Sequence, residues 1–180
     1  EDANVTGVWD YFTGTGITIS VVDDGLDKDH PDISPNYSPT HSYDWCNNDA
    51  DPSPSSWNGH GTAAGGVAAA AGDNTIHVAG AAYDATIAGS TLIACWAGDA
   101  TEANALSFHQ NDIDIYTNSW GPSDNGQTLE APGPLTLAAM EDDVYNGRNG
   151  NGNIITWAAG NGLDSNDNVN YDGYASSRYA

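Results

Sequence analysis

Short apolar runs and longer amphipathic stretches alternate along the chain. Ile17-Thr18-Ile19-Ser20-Val21-Val22 is rich in β-branched residues and is closed by Asp23-Asp24-Gly25. It predicts a buried strand ending in carboxylates. Positions 27–59 are polar, with many Asp, Asn, Ser and Pro, and read as a long functional loop. Asn58-Gly59-His60-Gly61-Thr62 then runs into Ala63-Ala64-Gly65-Gly66-Val67-Ala68-Ala69-Ala70-Ala71. The alanines predict a helix that opens at His60 and ends near Gly72, despite its glycines. A strand is expected over 85–91. Asp99-Ala100-Thr101-Glu102 has the form of a capping box opening a helix to about Gln110. Ile113-Asp114-Ile115-Tyr116-Thr117 reads as a strand ended by Asn118-Ser119-Trp120-Gly121-Pro122. Leu135, Leu137, Ala138, Met140, Val144 and Tyr145 trace a helical face that stops at Gly147. The Gly/Asn run at 147–153 is a turn. Asn153 to Ala159 is a last strand, closed by Gly160-Asn161-Gly162.

Strands alternating with helices predict an α/β fold, a mostly parallel sheet with helices on both faces. Function in such sheets gathers at the carboxyl ends of the strands. Asp23, Ser119 and Asn161 each fall at such an end. A helix-opening histidine, His60, lies near the positive end of a helix dipole, which favours the neutral ring that a general base needs. A buried Asp can fix the tautomer of that ring, and an Asn amide can donate to a developing oxyanion.

Composition narrows the classes of function. The chain of 180 residues carries 25 acidic residues against 3 Lys+Arg, a formal net charge of −22. That balance excludes the electrostatic footprint of a nucleic-acid binder and argues against docking on anionic lipid. It suits solubility in salt, and also sites for cations or basic peptides. No apolar run approaches the ~20 residues of a membrane span. No signal peptide stands at Glu1, so a targeting segment is expected to be removed or to lie outside this sequence. The pairing of Cys46 and Cys95 is left open. The 5 histidines include no HExxH and neither cysteine sits in a CxxC pair, so zinc is not expected.

Val22-Asp23-Asp24-Gly25, His60-Gly61-Thr62, Ser119-Trp120-Gly121-Pro122 and Ala159-Gly160-Asn161-Gly162 occur in that order. Together they resemble the subtilisin-like serine proteases, and within them the furin/kexin type of proprotein convertase. His30-Pro31-Asp32 and Asp172-Gly173-Tyr174 fit the same branch. The resemblance runs from about Asn4 to the end. It implies that Asp23 orients His60, that His60 is general base and then acid, and that Asn161 is the oxyanion donor. Loss of such a donor costs about 2.7–4 kcal/mol of transition-state stabilisation. It implies that Ser119-Trp120-Gly121 pairs with the substrate backbone. Asp124 and Asp172 match acids of the S1 pocket, Glu102 and Glu130 acids of S4, and Asp24 an acid near S2. Trp57 and Ser123 stand where the branch often has further acids, so selectivity for a basic P1 residue is expected rather than strict dibasic selectivity.

Calcium is the cofactor the resemblance implies. A first site would use the Asp32 carboxylate, the Asn74 side chain and the carbonyls of Ala71, Ile76 and Val78. A second would use Asp44, Asp49 and Asp51, and a third, under S1, Asp124 and Asp167. The family's Gly-Thr-Ser nucleophile motif is expected downstream of Asn161; Ser165, Ser176 and Ser177 follow too closely to match it. Residues 1–180 are therefore expected to be the amino-terminal part of one subtilisin-like catalytic domain, inactive alone. The full-length protein is expected to be a secreted or extracytoplasmic calcium-dependent endopeptidase acting on polypeptides with basic cleavage sites. The remainder of its own catalytic domain is an expected partner. The competing expectations are an inactive binding module for basic peptides and a subtilase of broad specificity.

Overall fold

A computed structural model describes residues 4–180. Its centre is β1 (Thr18–Asp23), with β2 (Tyr43–Asp44), β3 (Thr86–Thr91), β4 (Ile115–Asn118) and β5 (Ile154–Trp157) beside it. They form one sheet of order β2-β3-β1-β4-β5, and every pairing is parallel. The α-helices are α1 (His60–Ala69), α2 (Asp99–Leu106) and α3 (Pro134–Gly150). After β1 the chain crosses through α1 to β3 on one side; after β4 it crosses through α3 to β5 on the other. The connections diverge between β1 and β4, and a crevice opens at the carboxyl ends of such a pair.

Alternation along β1 divides the core. Ile19 and Val21 join Leu26, Ile33, Ala69, Ala85 and Ile87 on the α1 side. Val22 points the other way, into a cluster with Leu92, Leu106, Ile113, Tyr116, Met140 and Ile155 beneath α2 and α3. Both faces of the sheet are thus covered, as the strand–helix alternation predicts. Gly65 lets α1 lie close to the sheet: a Cβ there would stand 2.9 Å from both Ile87 Cδ1 and Leu26 Cδ1.

Three local expectations are corrected. The polar stretch 27–59 is not all loop, because Tyr43 and Asp44 pair with Ser90 and Thr91 as β2. Two residues are too few for their alternation to be read. The helix opened by His60 ends at Ala69 rather than near Gly72. Asp99 does not build a capping box on α2, whose N-cap is Gly98 without a side-chain cap. The Asp99 carboxylate instead accepts from the Leu135 and Thr136 amides at 3.0 and 2.8 Å, capping α3. A carboxylate satisfies orphan amides of whichever helix end lies nearest in space, and sequence distance does not restrict it. The expected stop at Gly147 is met by a break, since Gly147 has φ −58° and ψ 164°.

A disulfide joins Cys46 to Cys95. It tethers the loop after β2 to the loop after β3 across a separation of 49 residues. In the chain-entropy account a loop of that size contributes about 4 kcal/mol.

Candidate active site

The end of β1 is built around a buried carboxylate. Asp23 is 1% exposed and its two oxygens lie 2.9 and 3.0 Å from His60 Nδ1. The Asp24 amide donates to Oδ1 at 2.7 Å. His60 is the first residue of α1, and 59% of its side chain is exposed, so Nε2 is on the open side of the pair. Gly61 makes the approach possible, because a Cβ there would collide with the Gly25 carbonyl and with Asp23 Cβ. Asp24 caps the helix: Oδ1 accepts from Gly61 N at 2.8 Å and Oδ2 from His60 N at 3.3 Å. Thr62 Oγ1 accepts from Asp27 N at 2.9 Å and ties the loop after β1 to the same helix.

The electrostatics differ from the dipole argument. The hydrogen bond to Asp23, and then its charge, raise the His60 pKa above the ordinary imidazole value, with burial opposing weakly. A full carboxylate in contact outweighs the half charge of a helix end. Asp23 is itself raised, because burial outweighs the stabilising His60 and Asp24 hydrogen bonds.

Ser119-Trp120-Gly121 follows β4, directly beside β1. Trp120 Nε1 donates to the Val22 carbonyl at 3.0 Å and the Trp120 carbonyl accepts from Trp157 Nε1 at 2.6 Å. Trp120 is therefore turned inward. Its neighbours Ser119 and Gly121 make no main-chain hydrogen bond among the described residues, which leaves an unpaired extended edge.

Beyond that edge lie two adjoining hollows of about 290 and 210 Å³ that share Asp124, Gly160 and Asp172. Asp124 Oδ2 accepts from Asn161 N at 2.8 Å. Asp172 Oδ1 accepts from Tyr174 N and Ala175 N at 2.8 and 3.1 Å. The other oxygen of each carboxylate faces a glycine. A Cβ at Gly160 would stand 2.5 Å from Asp124 Oδ1, and one at Gly121 2.6 Å from Asp172 Oδ2. Gly160 also has φ +86°, so glycine is required there twice over. Asn161 is exposed on the rim of the smaller hollow. No lysine or arginine lines either hollow. The chain's basic residues are placed elsewhere: Lys28 on Asp29 and Asp51, Arg148 on Asp114, and Arg178 over the Tyr179 ring.

Glu102 holds one aromatic residue, and the charge of Glu130 acts on the same group. Glu102 Oε2 accepts from the Tyr174 hydroxyl at 2.9 Å and from Thr136 Oγ1 at 3.3 Å. Burial first, then Glu102, with Glu130 and Asp172 adding, push the Tyr174 hydroxyl well above its ordinary pKa. Tyr174 in turn packs on Trp120 and Trp157.

The residues expected to bind calcium divide into three cases. Asp32 is 1% exposed and meets Asn74, Val78 and Ala71 through their N–H groups rather than through the carbonyls expected of Ala71 and Val78. Asn74 Nδ2 donates to Oδ1 at 2.8 Å, Val78 N to Oδ2 at 3.2 Å, and Ala71 N to the Asp32 carbonyl at 2.8 Å. Ile76 N donates to Asn74 Oδ1 at 2.9 Å. The Asn74 hydrogen bond, against burial, holds the Asp32 pKa below the usual carboxylate value. Asp73, Thr75 and His77 all have positive φ, so the surrounding loop is strained at alternate residues. Asp124 and Asp167 stand on either side of Gly162, where a Cβ would touch both. Asp44, Asp49 and Asp51 face separate partners. Asp44 accepts from Cys46 N and Asn47 N, Asp49 from Asp51 N, and Asp51 from Ser53 and Lys28. Their carboxylates do not come within 4.8 Å of one another as a set.

The described residues contain no helix long and apolar enough to cross a membrane. The Subtilase family model matches residues 14–179, and the chain belongs to that family. Proprotein convertase subtilisin/kexin type 7 of Mus musculus is 46% identical over 184 residues, covering 99% of this chain and 24% of the relative. Furin-like protease 1, isoform 1-CRR, of Drosophila melanogaster is 42% identical and covers 98% of this chain and 16% of the relative. The chain thus spans a quarter or less of the length of these two relatives. The crystal structure of a serine protease of Aeromonas sobria superposes with a TM-score of 0.70 at 28% identity, over 83% of this chain and 26% of that one.

Proposed function

We propose that Asp23, His60 and Asn161 serve a serine endopeptidase that cleaves after basic residues. We read residues 1–180 as the amino-terminal part of its catalytic domain, with the nucleophilic hydroxyl supplied by the remainder of the protein. The observation that carries the reading is the Asp23–His60 contact beside an acidic cleft with no cation of its own.

Asp23 accepts the Nδ1 proton of His60 and so holds the ring with Nε2 as the basic atom. His60 Nε2 takes the serine proton as the hydroxyl attacks the scissile carbonyl, and returns it to the leaving amine. The Asn161 amide donates to the oxyanion. Ser119 and Gly121 offer their unpaired main chain to the extended substrate. A P1 guanidinium entering the cleft meets the Asp124 and Asp172 carboxylates. Planar, oppositely charged partners of this kind make desolvation of an arginine favourable. Glu102, bonded to Tyr174, and Glu130, whose charge acts on the same hydroxyl, suit a second basic side chain. Asp24 has a duty in capping α1, and its contribution near S2 rests on the resemblance alone.

Calcium fits the Asp32 site best. The buried Asp32 carboxylate and the Asn74 amide would supply hard oxygen donors, with the Ala71, Ile76 and Val78 carbonyls that the resemblance implies, provided that Asn74 turns Oδ1 toward the ion and the Val78 N–H releases Asp32. An ion held by Asp32 and Asn74 would neutralise the buried carboxylate and steady the 71–78 loop. The acid pair flanking Gly162 could hold a further ion, whereas the 44–51 acids would have to leave their present partners. The Cys46–Cys95 disulfide fits an oxidising, extracytoplasmic compartment.

The test is cleavage by the full-length protein of paired peptides that differ only in Arg or Leu at P1. Cleavage of the Arg peptide at least a hundredfold faster is expected. Equal cleavage would replace the reading with a broad-specificity subtilase, and binding without cleavage with an inactive peptide-binding module.

A further inference from the structure

Beside edge strand β2, outside the Asp23–His60 site, three residues from two segments converge. His41 lies just before β2, His109 just after α2, and Asp112 just before β4. One ligand atom from each lies within 4.8 Å of the others.

We propose that His41, His109 and Asp112 bind a borderline transition-metal dication, with Zn²⁺ the ion of choice. The chemistry of the donors sets the ion. Two imidazoles with one carboxylate suit Zn²⁺, Cu²⁺ or Ni²⁺ and do not suit Ca²⁺ or Mg²⁺, which take oxygen ligands.

The geometry agrees. His41 Nδ1 shares a hydrogen bond of 2.8 Å with Ser38 Oγ. That is the outer bond a metal-binding histidine makes, and it leaves Nε2 for the ion. His109 Nδ1 and Asp112 Oδ2 are 3.5 Å apart. The spacing is long for a hydrogen bond but close to the edge, about 3.4 Å, of a tetrahedron with bonds of ~2.0–2.1 Å. The His41 and His109 rings stand edge to face with centroids 5.2 Å apart.

The site is also held in place. Phe108 packs edge-on against the His109 ring at 4.4 Å and against Trp45 at 5.5 Å. His109 has φ +54°, a left-handed conformation closed by hydrogen bonds from Asp112 N and Ile113 N to its carbonyl. The neighbouring Gln110 and Asn111 are clamped to the end of α3 through Arg148 N and Asn149 N. Three protein ligands leave one position for water. A bound ion would tie the approach to edge strand β2 to the α2–β4 connection. No sequence motif announces it, because the ligands are 68 and 3 residues apart and come together only through the crossover.

The test is calorimetric titration of the full-length protein with ZnCl₂ at pH 7.5 and saturating CaCl₂. The variants are Asp112→Asn, the pair His41→Gln with His109→Gln, and the pair His30→Gln with His77→Gln. The last removes the other close histidine pair, whose centroids are 5.6 Å apart. One Zn²⁺ equivalent is expected in the parent and in the His30/His77 variant. Affinity should fall at least tenfold in Asp112→Asn, and that equivalent should vanish in the His41/His109 variant. Co²⁺ should give the visible absorption of a tetrahedral site in the parent and lose it in Asp112→Asn. Asp112 is exposed, so its variant decides the matter even if the double histidine variant does not fold. Absence of Zn²⁺ binding in the parent, unchanged affinity in Asp112→Asn, or loss of the equivalent in the His30/His77 variant instead would overturn the proposal.

Discussion

Two aspartates are buried to the same degree and behave differently. Asp23 at the end of β1 is 1% exposed and Asp143 within α3 is 0% exposed. Asp23 is met by His60 Nδ1 and the Asp24 amide. Neither oxygen of Asp143 has a hydrogen-bond partner among the described residues. Burial raises both, but at Asp23 two donors oppose it, whereas at Asp143 the nearby Asp142 charge adds to it, and the pKa is pushed up to about 8. A buried carboxyl group is useful as an anion only where the fold supplies donors. At the end of β1 it does so and holds a histidine; inside α3 the same group is an acid kept protonated near neutral pH.

The sharpest way to break the comparison is to remove the charge of Asp23 and keep its shape. In Asp23→Asn the amide can no longer fix the Nδ1–H tautomer of His60. On the proposed mechanism kcat of the full-length protein should fall by about 10⁴, the size of the effect when a triad carboxylate is lost. The pH profile carries a second reading. Asp23 raises the His60 pKa, and a general base must be neutral, so activity is lost as pH falls through that raised value. Removing Asp23 should move the acid limb of the residual kcat/KM profile to lower pH. A residual limb at the parental position would show that something other than Asp23 sets the His60 pKa.

Asp143 tests the other half. A carboxyl group whose folded pKa lies near 8 keeps its proton while the unfolded chain, near 3.8, has lost it. The folded state then binds more protons, so stability falls as pH rises between those values, by about 1.4 kcal/mol per pH unit for one group. Asp143→Asn cannot ionise, and its urea midpoint should therefore fall less between pH 5 and 8 than the parent's. The stability of the variant relative to the parent should therefore be higher at pH 8 than at pH 5. Parallel pH dependences for the two proteins would mean that Asp143 finds a partner in solution.

The legibility of these sites in the sequence follows the same division. The β-branched run of β1, the stop at Gly147 and the order of the Asp23, His60 and Asn161 motifs are local patterns, and the fold keeps them. The expectation of a parallel sheet with its functional residues at the carboxyl ends follows from alternation alone. What the sequence hid is made by distant pairs. Asp99 looks like the cap of its own helix and caps α3. Asp143 stands in sequence as one more acid of α3, and only the closed core beneath that helix reveals it as buried. The raised pKa of His60 depends on a carboxylate 37 residues away that lies closer than the helix dipole can compete with.

Asp24 supplies the smallest and most discriminating test. It neighbours Asp23 in sequence, is only partly buried, and spends both oxygens on the Gly61 and His60 amides. Asp24→Ala leaves those two amides to water, and losing a side-chain cap costs about 1 kcal/mol, within a range of 0.5–2. The urea midpoint should shift by that amount while the Asp23–His60 contact survives, because Gly61 and Thr62 still seat α1 against the end of β1. Asp24→Asn keeps an acceptor for Gly61 N and should recover most of the loss. The proposed S2 role separates from the cap at this point. Peptides differing in a basic or neutral P2 residue should lose their difference in KM in both variants if the Asp24 charge faces substrate. If the charge acts only on the helix end, both variants should keep that difference, and the stability loss of Asp24→Ala should be the whole effect.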